Sequence, residues 1–296
     1  MSYTNITPGF TGWLQSENLT RKLRFATCGI NAVQEVEAPE MVMGDYTHNA
    51  WAFGKIEVGG QVAGPLTEYA MEVVENIWNN GPLDLDVKYY NGFARVFQNC
   101  MANTCAINVS AGEVVNFTLD VMGTGMATTG PDSTATVTYA EKIVTWDKAA
   151  LYVGTQGDHT FSGGNLIPDL MSFQITISNN ITRQFAIRAS DLYGRLVRGM
   201  SAVTGTIVSY TTKSSEDFSG SQTGTGALHW DAYTRDAYYP IWFSVGGRQI
   251  QATVVFHRGT SELSSGPVLT TIGFTGIGHW GGDNPLAPNH EAIATP

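Results

Sequence analysis

The chain has 296 residues, a formal net charge of -10, and only 14% charged residues against 43% apolar ones. That length holds one large β domain or two domains of about 150 residues, and either buries a core without disulfide staples. The charge balance, with no basic run beyond Arg21-Lys22-Leu23-Arg24, excludes a protein that grips nucleic acid through its phosphates. Charged residues fall well below the typical ~25%, and Thr, Ser and Gly make up the difference, as in β-proteins and in surfaces that other subunits cover. No stretch approaches the ~20 apolar residues of a membrane helix. The opening MSYTNITPGF has neither the basic nor the apolar region of a signal peptide. The chain is therefore expected to be made in a cytoplasm and to stay soluble until it assembles. Cys28, Cys100 and Cys105 form no Cys-x-x-Cys pair and read as free thiols in a reducing compartment.

Residues 1–24 are polar and mixed, and read as an N-terminal arm in which Trp13 needs either a core or a partner surface. A strand-like run from Phe25 to Val36 ends at Ala38-Pro39, and is followed by Met41-Val42-Met43-Gly44 and the polar Asp45, Tyr46 and His48. Val58-Gly59-Gly60-Gln61 predicts a two-residue hairpin, because Gly-Gly tolerates the positive φ of primed turns. A helix is predicted over 67–78. Thr67 caps it, and Ala70, Val73, Val74, Ile77 and Trp78 recur at helical spacing before Asn79-Asn80-Gly81-Pro82 stops it. Asp84 to Gln98 reads as one or two strands.

The most regular stretch runs from Cys105 to Gly125. Val115, Phe117, Leu119 and Val121 alternate with Asn116, Thr118 and Asp120, a period of two that puts one row on a core. With Ile107-Asn108-Val109 and the turn Ser110-Ala111-Gly112 before it, the unit predicts a hairpin. The Gly/Thr/Ser-rich residues 123–138 mark a boundary or a long loop. Beyond it, Met171 to Ser178 alternates cleanly, 185–200 is strand or short helix, and 202–212 is β-branched. Ser214 to Gly226 is a polar loop carrying Glu216 and Asp217, and Gly246-Gly247 joins two strand-like runs as a second hairpin. Ser264-Ser265-Gly266-Pro267-Val268-Leu269 repeats, 154 residues later, the pattern that begins at Ser110. The last residues, with Trp280, have no usable period and read as a second arm. These echoes predict a duplicated β unit, divided as 1–24 arm, 25–138 first unit with helix 67–78, 139–277 second unit, and 278–296 arm.

Reactive chemistry has little footing. None of the six histidines forms a ligand-spaced pair, and no nucleophile elbow or phosphate-cradling loop enters a helix. Asp84 with Asp86, and Glu216 with Asp217, read as solvated loop charges. No catalytic residue, metal or cofactor is predicted.

The order of Met41 to Gly44, the Gly54 to Gly64 hairpin, the helix from Thr67 to Trp78, the SAGEVVNFTLDVMG pair, and then Met171 to Asn180, Arg198 to Tyr210 and Gly266 to Gly276 resembles the tail tube proteins of tailed bacteriophages in their long, two-unit form. The resemblance spans 25–277. It implies a mainly β fold, a β-sandwich with one flanking helix, whose subunits close into a ring lined by a continuous β-barrel. It implies no enzyme, but a structural virion protein whose stacked rings form the conduit for DNA ejection, assembled in the host bacterial cytoplasm. Two units per chain imply a trimeric ring with pseudo-sixfold symmetry, and one unit plus a decoration domain implies a hexamer. Its partners would be other copies of itself and the tape measure, tail terminator and distal tail proteins, with a sheath added in a contractile tail. DNA would pass through the acidic lumen without specific binding, and no membrane is involved. Trp13, Asp45, Tyr46, His48, Glu216, Asp217 and Trp280, in the arms and polar loops, are the expected contacts between subunits. The competing readings are another phage tail or head structural protein, or a carbohydrate-binding or glycan-cleaving β-sandwich using Trp230, Tyr233, Tyr238, Tyr239, Trp242 and Trp280 to stack on sugars.

Overall fold

The computed structural model describes residues 12–17, 19, 21–37, 52–67, 69–90, 93–127, 142–154, 157, 165–167, 170–185, 194–210, 238–245, 248–257, 260–262, 269–277 and 293–294. The described chain is mainly antiparallel β with a single α-helix. The strands of the first half are β1 (Trp13–Ser16), β2 (Leu23–Arg24), β3 (Thr27–Cys28), β4 (Asn31–Glu37), β5 (Ala52–Pro65), β6 (Leu83–Tyr90), β7 (Phe93–Ser110), β8 (Asn116–Gly123) and β9 (Gly125–Ala127). Helix α1 (Ala70–Asn80) lies between β5 and β6. The second half holds β10 (Ala149–Val153), β11 (Asn165–Leu166), β12 (Leu170–Ser178), β13 (Thr182–Phe185), β14 (Gly194–Val197), β15 (Ala202–Tyr210), β16 (Tyr239–Val245), β17 (Arg248–Phe256), β18 (Thr260–Glu262), β19 (Leu269–Gly276) and β20 (Ile293–Ala294).

The strand pairing of the first half is repeated in the second. In the first, β3 and β4 pair with β5, β5 with β8, β8 with β7, β7 with β6, β6 with β1, and β1 with β2. In the second, β12 pairs with β15, β15 with β19, β19 with β17 and β18, β17 with β16, β16 with β10, and β10 with β11. The register repeats as well as the order. Cys28 opposite Val62 opposite Leu119 corresponds to Phe173 opposite Ile207 opposite Ile272. Gly60 opposite Val121 corresponds to Gly205 opposite Phe274.

Each half folds back as a sandwich. The long β7 turns the corner in the first: its start pairs with β6 and β9, and its end with β8 and β12. Asn99 at φ +50°, with its N–H donated to Asp84 Oδ1 at 3.0 Å, and a register shift between Ala102 and Thr104 mark the bend. Leu14, Leu85 and Val87 of one layer thus share a core with Val62, Leu119 and Val121 of the other. In the second half the layers meet at Phe173, whose ring centroid lies 4.6 Å from that of Phe243 and 6.0 Å from that of Phe274.

The predicted period-two row is buried from Val115 to Val121, and the predicted hairpin closes with Asn108 opposite Asn116. The pairing of β16 with β17, Val245 opposite Arg248, likewise matches the hairpin read at Gly246-Gly247. Helix α1 buries the expected Ala70, Val73, Val74, Ile77 and Trp78, and also Met71, against β1, β2 and β7. It begins after Tyr69, although Thr67 Oγ1 does accept the Ala70 N–H at 3.2 Å.

Other expectations are corrected. Gly59-Gly60 makes no hairpin: β5 runs straight through it for 14 residues. Gly60 has φ +147°, and a Cβ there would collide with Gly29 O, so glycine serves a close strand approach where β5 passes from β4 to β3. The expected N-terminal arm is partly sheet, since β1 pairs with both β2 and β6, and within the C-terminal arm β20 pairs with β17. Of residues 185–200, read as strand or short helix, Gly194–Val197 form β14, a strand that pairs with β13. Asp84 and Asp86 lie in β6, not in a loop.

Candidate assembly surface

Among the described residues, the two halves are joined edge to edge by a seam between β7 and β12. It runs from Ser110 opposite Ser172 to Thr104 opposite Ser178. Alternation sends Cys105, Ile107 and Val109, with Phe173, Ile175 and Ile177, into the core. The other face shows Thr104, Ala106, Asn108, Ser172, Gln174 and Thr176. The result is a wall of eight neighbouring strand positions: β4, β5, β8 and β7 from the first half, then β12, β15, β19 and β18 from the second.

One end of the seam is clasped by polar groups. Asn179 is 1% exposed; its Nδ2 donates to Ala102 O at 2.9 Å, and its Oδ1 accepts from Ser201 Oγ at 3.0 Å. Asn103 sits at the bulge of β7. Its Oδ1 accepts the Ile181 N–H at 3.1 Å, and its Nδ2 donates to Asp120 at 2.8 Å. Two arginines from the segment between β12 and β15 reach back onto the first half. Arg183 donates to Val58 O and, through Nε, to Gly123 O at 3.4 Å, and it lies 3.7 Å from the Glu57 carboxylate. Arg198 donates to Trp78 O at 2.7 Å, at the end of α1 where the helix dipole favours a cation. The sequence pattern missed these groups: Asn179-Asn180 looks like a strand stop, and nothing local marks a partner 77 residues away.

The wall ends in two strands paired on one side only among the described residues. Strands β3 and β4 pair with β5 alone, and β18 with β19 alone. An edge of this kind templates pairing with another chain unless it is blocked. Val33 on β4 is 59% exposed. The outward face of the wall carries few ions among the described side chains: Asp120, Lys55 with Glu57 at 2.9 Å, and the Arg183 guanidinium beside Glu57. The Lys55 hydrogen bond, helped by the charges of Lys55 and Arg183, holds the Glu57 carboxyl below its ordinary pKa. Apolar groups are exposed at the two ends of the strands instead. Val114, Ile143 and Trp146 lie by the β7–β8 turn, where Trp146 N–H donates to Glu113 O, and Met200, 85% exposed, lies at the opposite end before β15.

Of the predicted contact residues, Trp13 is a core group. It is 1% exposed, with Lys22 Nζ 4.0 Å from its ring centroid. Asp45, Tyr46, His48, Glu216, Asp217 and Trp280 lie outside the described residues. Among the proposed sugar-stacking rings, Tyr239 and Trp242 are buried, and Trp242 stacks on Tyr152 at 5.7 Å. Cys100 and Cys105 are buried thiols; desolvation pushes Cys105 up to about 12 and raises Cys100 too. Among the described residues no three His, Cys, Asp or Glu side chains gather as a metal site.

Fold and surface together define the class, a β-structural chain organised around a seam and a broad polar wall. The family model for phage tail tube proteins matches residues 3–276, and the chain belongs to that family. It is therefore a structural protein of the phage tail. No curated protein matches it.

Proposed function

We propose that three copies of this chain close into a ring with pseudo-sixfold symmetry, and that rings stack into the tube through which DNA leaves the virion. The observation that carries this reading is the repeated pairing scheme, in which each chain brings two equivalent four-strand segments already joined edge to edge. The 25–138 and 139–277 segments are then the two units of the ring. The outward face of the wall lines the lumen. Thr, Ser, Asn and Gln side chains dominate it, and its described cations Lys55 and Arg183 are both paired with Glu57, so the duplex passes without specific binding. Stacking uses the strand ends, with Val114, Ile143 and Trp146 at one end and Met200 at the other, together with the arms and polar loops that hold Asp45, Tyr46, His48, Glu216, Asp217 and Trp280. Such heterologous faces add ring to ring without closing. Assembly takes place in the host cytoplasm, alongside tape measure, terminator and distal tail proteins.

Negative-stain microscopy of the purified protein across a concentration and salt series, with native mass measurement, tests the reading. Rings or tubes of constant width built from three chains per ring are expected. A monomer that never forms rings at any concentration would overturn it.

A further inference from the structure

The internal seam shows how one kind of edge meets the other, and among the described residues the same two kinds of edge stand open at the ends of the wall. Strand β12, which receives β7, occupies in its half the place that β3 and β4 occupy in theirs: Thr176 opposite Thr204 corresponds to Asn31 opposite Gly59. Strand β7, which it receives, corresponds to β17 and β18: Ala106 opposite Thr118 matches Thr260 opposite Thr271, and Asn108 opposite Asn116 matches Glu262 opposite Leu269. Within the chain, Thr176 faces Ala106.

We propose that neighbouring protomers join by an antiparallel seam between the β3–β4 edge of one and β18 of the next, with Asn31 opposite Thr260. This deepens the ring reading and rests on it, since it names the strands and the register by which one copy receives another. Moving the internal register onto the open edges also sets Ile30 opposite Ser261 and Gly29 opposite Glu262. The occupant is a second copy of this chain because the internal seam is a worked instance of the same joint. The residue types fit as well: in this register Glu262 falls opposite Gly29, so no like charges are set opposite each other at these rungs. The exposed Val33 lies two residues beyond Asn31 on the same receiving edge. One rung of the outer seam starts from a carbonyl already in use, since Ile30 O accepts a hydrogen bond from the Tyr89 hydroxyl.

Disulfide trapping reads the register directly. Opposed residues on antiparallel strands have Cβ atoms about 4.5–5.5 Å apart and residues two positions off about 7–8 Å, whereas a disulfide needs about 3.5–4.5 Å. The full chain carries Cys28→Ser, which removes the one native thiol that is not buried, and then Asn31→Cys with Thr260→Cys. The internal pair Thr176→Cys with Ala106→Cys calibrates the oxidation, and Asn31→Cys with Glu262→Cys is the off-register control. On mild oxidation of assembled protein, the in-register variant is expected to move from the single-chain band to a three-chain band on a non-reducing gel. The single-cysteine variants and the off-register pair are expected to stay as single chains. Rings in the microscope with no in-register crosslink, or with equal crosslinking of the off-register pair, would overturn the register and leave the ring reading intact. No rings and no crosslinks under any condition would overturn both.

Discussion

The two halves of the molecule share a pairing scheme and register but solve the same positions with different chemistry. Where the first half has the half-buried Cys28, the second has Phe173, packed between Phe243 and Phe274. Where the first half breaks its edge at Gly29-Ile30, β12 runs unbroken. Gly123 faces Val58, and Gly276 faces Val203; an added Cβ would meet the valine Cβ at 3.1 Å in one half and 2.9 Å in the other. The comparison teaches that register and the period of burial define this unit, and that side-chain identity is free to change wherever the sandwich can be refilled. It also accounts for the weakness of the repeat in the sequence, where only short glycine and serine patterns survive.

Substitutions at equivalent positions should break the two halves unequally. Phe173→Ala removes the ring at the centre of the second sandwich and is expected to cost ~3–5 kcal/mol in chemical denaturation. Its counterpart Cys28→Ala should cost about 1 kcal/mol or less; equal losses would show that the halves are not packed as described. Gly60 and Gly205 come next. A Cβ at Gly205 would collide with Gln174 O and the Phe274 ring, but only Gly60 also has a positive φ. Gly60→Ala should therefore cost on the order of 3 kcal/mol and Gly205→Ala on the order of 2 kcal/mol by thermal unfolding.

Asn179→Ala tests the clasp that holds the halves together. It leaves the buried Ala102 carbonyl and the Ser201 hydroxyl without their partner, a loss of ~1–3 kcal/mol. Hydrogen exchange should quicken along the seam, at residues 104–110 and 172–178, more than in β16 and β17. Uniform quickening would argue against a local clasp.

The smallest effect is expected at Asp86, which occupies the place of Trp242: Gln15 opposite Asp86 corresponds to Tyr152 opposite Trp242. Desolvation, with the nearby Asp84 and Glu17 charges, raises the Asp86 pKa above its ordinary value. A carboxyl raised on folding favours the native state while protonated, and this contribution is lost as pH climbs through the folded pKa. Asp86→Asn should therefore stabilise the protein at neutral pH, by less than about 1 kcal/mol because the group is only partly buried and solvent still screens it. The gain should vanish below the ordinary aspartate range; a gain that persists there would point to a cause other than ionisation.

Much of the fold was legible because burial in a half-solvated antiparallel sheet writes itself as alternation. Val115 to Val121, Phe173 to Ile177 and the helical spacing of α1 could be read residue by residue, and low charge with abundant threonine set the class. Gly59-Gly60 misled because a glycine needed for a turn and one needed for close strand approach look alike until the opposing backbone is in place. Trp13 was left between a core and a partner surface because its arm is closed by β6, more than 60 residues away in the chain. The sequence by itself thus determined which rows of side chains would be buried and the family resemblance. Only the tertiary structure decided which edges meet, that the second half repeats the register of the first, and where, among the described residues, the wall is left open. Those facts depend on contacts between residues far apart in the chain, and local periodicity carries no record of its partner.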